Sequence, residues 1–242
     1  MIIRRHALRL GSSNMAVALA HPDGDGPHPA VLVAHHRGGV DDFTRYVLMR
    51  LAEIGLIAAA PNFYHRRPPG EDPVASMKQL NDAELLVDIR TTLAFLQTIP
   101  SVDPARVATV GHCLGGRTSF LALVHDPVFA AAVLLYHGNI FETRSEGMAA
   151  PFALTLNIHC PILGIFGSDD VNPSPAHVSR LSQELARLGI RHEFHSYEGA
   201  GHAFQDFHAA AQYRPRAADD AWEKIIAFLR RELKPAGQTL SA

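Results

Sequence analysis

Cys113 stands between Gly111-His112 and Leu114-Gly115-Gly116, directly after the apolar run from Val107 to Val110. A strand-type segment that ends in glycine, exposes one thiol and resumes as a helix-type segment from Thr118 to Val124 has the pattern of a tight strand–turn–helix bend presenting a nucleophile. Gly111 and Gly115 let neighbouring backbone pass close. A helix that starts just after the thiol aims its amides at the sulfur, which favours thiolate. A lone cysteine more often packs as a small hydrophobe, so the chemistry rests on partners elsewhere. Phe166-Gly167-Ser168-Asp169-Asp170 follows a strand-type run and can present a carboxylate; Gly199-Ala200-Gly201-His202-Ala203-Phe204 follows another and can present an imidazole. The spacing predicts a nucleophile, acid and base in Cys113, Asp170 and His202, with Asp169 the alternative acid. An oxyanion needs two backbone amides. The expected donors are Leu114, directly after the thiol, and Arg37, in the glycine turn His35-His36-Arg37-Gly38-Gly39.

The elements that must position these residues follow from hydrophobic periodicity. Ile3–Leu10 and Met15–Leu19 read as a hairpin across Gly11-Ser12-Ser13, and Ala30–Ala34 as a strand covered on both faces. Phe43–Ile54 reads as a helix, Leu56–Pro61 as a strand and Asn62–Val74 as a long loop. Gln79–Ile99 reads as a long helix with Leu85, Leu86, Ile89, Leu93 and Leu96 on its apolar face. Further strands are expected at Arg106–Gly111, Ala130–Tyr136, Cys160–Phe166 and Arg191–Tyr197. Helices are expected from the Ser174-Pro175 start and over Ala218–Leu233. This alternation predicts an α/β fold, one mostly parallel sheet with helices on both faces, in a single domain over residues 1–242. Loops at the carboxyl ends of such strands meet at one edge, which is where Cys113, Asp170 and His202 should converge.

The chain has 242 residues, 47% hydrophobic and 19% charged, with 22 basic against 24 acidic side chains and a net charge of −2. Such a chain is expected to bury a large core and gives no reason to expect nucleic acid or a charged membrane surface as partner. Two cysteines, Cys113 and Cys160, cannot build a disulfide framework, and a free Cys113 suits a reducing cytoplasm. No secretory signal is visible at the N-terminus, and no uncharged run approaches the roughly 20 residues of a membrane span. No histidine–acid cluster has zinc spacing, so neither metal nor cofactor is expected. The expected assembly is a monomer or homodimer.

On Gly111-His112-Cys113-Leu114-Gly115-Gly116, Gly167-Ser168-Asp169-Asp170 and Gly201-His202-Ala203-Phe204, the chain resembles the dienelactone hydrolase family of the α/β-hydrolase superfamily. The unit from Val31 to Pro61 with Asn62-Phe63-Tyr64 is similar too, and the likeness runs over roughly Ala30 to Leu233. The resemblance implies hydrolysis of a small ester or lactone through a thioester, the best-known substrates being dienelactones from chlorinated catechols. It also implies substrate contacts from Arg66, which matches one of two arginines that grip a substrate carboxylate, and from His36, which stands where the family carries a glutamate beside the thiol. Tyr136, ending a strand at the same edge, is a further candidate for the pocket wall. The second arginine's place holds Gln205 and Asp206. Losing one guanidinium weakens recognition of an anionic lactone, so a broader carboxylesterase acting on neutral esters is the alternative. A non-catalytic thiol-sensing or binding module, with Cys160 as resolving thiol, is another.

Overall fold

Eight strands form one sheet in the order β1-β2-β4-β3-β5-β6-β7-β8. The computed structural model describes residues 2–234; residue 1 and residues 235–242 of the expected 1–242 unit lie outside the described residues. β1 (Ile3–Leu10) and β2 (Ser13–Ala20) are the antiparallel hairpin, and β2 runs antiparallel to β4 (Ile57–Pro61). β3 (His28–Ala34), β4, β5 (Val102–His112), β6 (Ala131–Leu135), β7 (Ile162–Gly167) and β8 (His192–Tyr197) are mutually parallel. β4 and β6 are buried at every position, as expected of strands covered on two faces.

Two cores result. On one face α1 (Asp42–Glu53) and α6 (Pro215–Glu232) bring Phe43, Val47, Leu51, Trp222, Ile225 and Phe228 against Val31, Val33, Val110 and Val133. On the other, α3 (Asp82–Gln97), α4 (Leu114–His125) and α5 (Pro175–Arg187) pack Leu85, Ile89, Leu93, Leu121, Leu181 and Leu185 against Leu32, Leu134 and Ile162. The chain turns from β3 outward to β4, then crosses back to β5 on the other side of β3. The loops after β3 and β5 therefore open a crevice at the carboxyl edge, the usual place for a ligand in an open α/β sheet. Among the described residues no helix is long and apolar enough to cross a membrane.

Several element boundaries differ from expectation. The long helix starts at Asp82 rather than Gln79, because Asn81 is extended and its side chain accepts from the Glu84 amide as an N-cap. The stretch Pro73–Lys78 inside and after the expected loop is a short helix, α2, capped by Asp72 with Pro73 in its first turn. β5 extends back through Pro104 to Val102, with an irregular register between His28 and Ala30 of β3. α4 begins at Leu114, so the helix starts directly at the thiol. α6 begins at Pro215. A 3₁₀ turn, Pro151–Asn157, has no apolar period long enough to be read from sequence.

Candidate active site

β5 ends at His112 and α4 starts at Leu114, so Cys113 makes the entire turn, with φ 57° and ψ −118°. Its own amide is anchored to Leu135 O at 3.0 Å. The turn is this sharp because α4 sits against the end of β3; a side-chain carbon on Gly115 would overlap the Ala34 carbonyl. Among the described residues, four non-glycines have left-handed backbone, Cys113, Tyr136, Asn139 and Ala203, and all four line one cavity of about 340 Å³. Backbone strain gathers where a surrounding structure holds a site in place.

His202 Nε2 lies 2.9 Å from Cys113 Sγ, and His202 Nδ1 lies 2.8 Å from Asp170 Oδ2. A carboxylate only accepts, so Nδ1 carries a proton and Nε2 is turned toward the sulfur. Asp170 is buried and its other oxygen accepts from the Asn172 amide. Asp169 is exposed and accepts from Ser168 Oγ instead, so the structure brings Asp170, not Asp169, to the imidazole. Burial alone would lower the His202 pKa, but its hydrogen bonds to Asp170 and Cys113 outweigh that and raise it to about 10. Burial likewise opposes ionisation of Cys113, yet the hydrogen bond and charge of His202, the Leu114 amide and the Arg37 charge together hold the thiol below its ordinary range. The geometry and these shifts favour a thiolate–imidazolium pair at one sheet edge.

The glycine turn after β3 lies beside it, and His36 and Arg37 line the cavity. His35 is fully buried; its Nε2 accepts from the Phe63 amide, so its Nδ1 carries the hydrogen and donates to His36 O at 2.7 Å. Burial lowers the His35 pKa to about 4, which keeps that tautomer neutral. His112, one residue before the thiol, is also buried, with its pKa lowered to about 3 by burial and then by the neighbouring His36. It packs edge-on to Phe43 and bonds Gln205 Oε1.

Residues 15–233, more than half of the chain, match the model of the dienelactone hydrolase family. The chain belongs to this family. A Synechocystis protein named "Putative carboxymethylenebutenolidase" is 30% identical over 244 residues, covering 96% of this chain and 98% of that protein. A Bradyrhizobium protein named "Probable 2-oxo-3-(5-oxofuran-2-ylidene)propanoate lactonase" is 27% identical, covering 92% of this chain and 91% of its own length. The crystal structure of a "Putative Dienelactone Hydrolase" from Klebsiella pneumoniae superposes with a TM-score of 0.85 at 27% identity, over 95% of this chain and 98% of that one. As a dienelactone hydrolase family member the protein is a hydrolase acting on small molecules, built on the α/β-hydrolase fold.

Within that family frame one expected contact, Arg66, moves away, while His36 stays in the cavity wall. Arg66 does not line the cavity: its guanidinium makes a two-pronged bond to Asp88, at 2.8 and 2.7 Å, beside His65. Asp88 is buried on α3, and Arg66, with His65 Nε2 at 3.1 Å, supplies the partners that a buried carboxylate needs. His36 lines the cavity, but its Nε2 is taken by Asp41 Oδ2 at 2.7 Å and its Nδ1 faces Asp206 Oδ2 at 3.6 Å. Tyr136 stands in the cavity wall, with its ring edge-on to His202 at 5.2 Å and its buried hydroxyl without a partner among the described residues.

The structure also brings in residues that the sequence reading passed over. Arg144 reaches the cavity from the segment between β6 and the 3₁₀ turn. Its amide bonds Asp82, but the Asp82 carboxylate is already held by the buried Arg117 through two bonds of 2.6 and 3.0 Å. The Arg144 guanidinium donates only to Met77 O at 3.3 Å and has no carboxylate partner among the described residues. Burial and then the charge of Arg117 lower its pKa. His137–Ala150 has no motif or period, so only the scattered charges Glu142, Arg144 and Glu146 signalled it.

Proposed function

We propose that this hydrolase opens a small ester or lactone through a thioester on Cys113. The observation that carries the reading is the unbroken relay from Asp170 through His202 to the Cys113 sulfur, at 2.8 and 2.9 Å. The thiolate attacks the carbonyl carbon, and the oxygen takes the electron pair and sits between the amides of Leu114 and Arg37. As the tetrahedral intermediate collapses, the C–O bond breaks and His202 gives its proton to the leaving alkoxide. For a lactone, that alcohol stays attached to the acyl group. Water then attacks the thioester while neutral His202 takes its proton. The thiolate leaves and the pair is restored.

The cavity favours a substrate bearing a carboxylate. A half-buried guanidinium without a counter-ion is costly, and among the described residues Arg144 is such a group in the cavity wall, with Arg37 also lining the cavity and without a side-chain ion pair there. The Bradyrhizobium relative's name describes a propanoate, an acid of this kind. Asp206, which also lines the cavity near His36, repels a carboxylate from its own side. A neutral-ester preference, the other reading of the missing second arginine, would leave Arg144 without a function. A sensing role finds little support: Cys160 lies before β7, at the amino edge of the sheet, buried with its pKa pushed up to about 12.

The test is turnover of a lactone and p-nitrophenyl ester panel by the wild type and Cys113→Ala. The reading expects a loss of at least about 10³-fold, and an acyl adduct on Cys113 of the wild type after rapid quench. Undiminished turnover in the variant rejects it.

A further inference from the structure

The loop from His35 to Asp41 would supply the Arg37 amide, and its bonding is unusually complete. His36 O accepts from Gly39 N at 3.1 Å and from His35 Nδ1 at 2.7 Å. Arg37 O accepts from Tyr64 Oη at 2.9 Å, and Gly39 O from Thr44 Oγ1 at 2.9 Å. In a trans peptide the N–H points opposite to the C=O. Holding His36 O on one side therefore aims Arg37 N–H to the other. That amide has no acceptor among the described residues. Had the peptide turned over, the His36 carbonyl would stand where an oxyanion donor is needed.

What closes this loop is a side-chain bond. His36 Nε2 donates to Asp41 Oδ2 at 2.7 Å, and Asp41 Oδ1 accepts the Thr44 amide as the N-cap of α1. The backbone bows round that bond: a side-chain carbon on Gly38 would stand 2.6 Å from Asp41 Oδ2 and 2.7 Å from His36 Nε2. His36 is half-buried, and Phe43 meets its ring edge-on at 5.3 Å. So α1, a rigid element, is tied through Asp41 to the residue whose carbonyl sets the Arg37 peptide.

We infer that His36 is a positioning residue: bonded to Asp41, it clasps the loop in the orientation that presents the Arg37 amide to the transition state. This rests on the thioester reading above. It replaces substrate contact as the task of His36, and it makes the oxyanion hole preformed in the resting protein.

Two variants cut the clasp from opposite ends. His36→Leu removes the donor; Asp41→Ser keeps a hydroxyl to cap α1 but is too short to reach His36. His36→Gln restores an N–H toward Asp41. For p-nitrophenyl acetate, both cut variants should lose about 10- to 100-fold in kcat with KM within about twofold, and His36→Gln should recover most of the loss. Iodoacetamide labelling of Cys113 should be unchanged in all three, because the Cys113–His202–Asp170 relay is untouched. The inference is overturned if either cut variant keeps wild-type kcat, if His36→Gln gives no recovery, or if labelling falls in parallel with kcat. Cys113→Ala run alongside separates the two claims. An active Cys113→Ala removes the thioester reading itself; an inactive one beside an active His36→Leu removes only the clasp.

Discussion

Two arginines near the cavity divide according to the carboxylates they meet. Arg66 neutralises the buried Asp88, and that hydrogen bond raises its pKa. The Arg144 guanidinium meets no carboxylate among the described residues, because Arg117 has already claimed Asp82. Stripping a buried acid of its partner costs roughly 3–5 kcal/mol, whereas losing a ligand-facing guanidinium costs binding. Arg66→Ala should therefore lower the unfolding free energy by about that amount and leave substrate preference alone. Arg144→Met should keep its melting temperature but lose about 10- to 100-fold in kcat/KM for a carboxylated lactone relative to its neutral analogue. Chemical denaturation and a paired kinetic assay check both. The reverse pattern would return the carboxylate contact to Arg66.

At the scale of elements, the elbow explains why small residues surround the thiol. α4 can begin at Leu114 only if its first turn lies against the last residue of β3. Gly115→Ala would drive a methyl into the Ala34 carbonyl, and backbone cannot yield as a flexible side chain can. The expected outcome is destabilisation by about 1–3 kcal/mol or more, read from the midpoint of a urea titration, together with lowered activity as β3 and its loop are displaced. Much of this element was readable from its residues, since Gly111 and Gly115 flank the one thiol after a strand-type run. The Ser174-Pro175 start of α5 was equally readable, because cap chemistry is local. Less was legible where long-range bonds decide. Asn81 caps the long helix three residues later than its apolar stripe suggests, and Asp72 caps a separate short helix in and after the expected loop. The segment around Arg144 is ordered by Arg117, which bonds Asn139 O and Glu142 O from α4, and nothing near Arg144 in sequence announces that. For Arg66, the family resemblance pointed to a substrate contact while a residue 22 positions away, Asp88, decided its partner.

At the scale of the whole molecule, alternating strand and helix periods were enough to foresee the sheet, its two helical layers and the edge where loops converge. They do not foresee the order of strands, yet the order matters: the reversal between β4 and β5 puts the loop after β3 beside the one holding Cys113. Residues 37, 113, 170 and 202 come from four separate connections and meet only because β3, β5, β7 and β8 are parallel and in register. The lowered pKa of the thiol is thus a property of the assembled sheet, made by the imidazole from beyond β8, the start of α4 and the Arg37 charge after β3, with the carboxylate from beyond β7 acting through His202. Because the thiol is held below its ordinary range and His202 keeps its proton up to about pH 10, the pair persists through neutral pH. The most direct measurement is iodoacetamide labelling of Cys113 against pH, with residual hydrolase activity followed in the same samples. The account predicts a rate that levels off at lower pH than that of an ordinary thiol of pKa about 8.5, and activity that falls one-for-one with label. A rate rising about tenfold per pH unit below that pKa, or activity that survives full labelling, would contradict it.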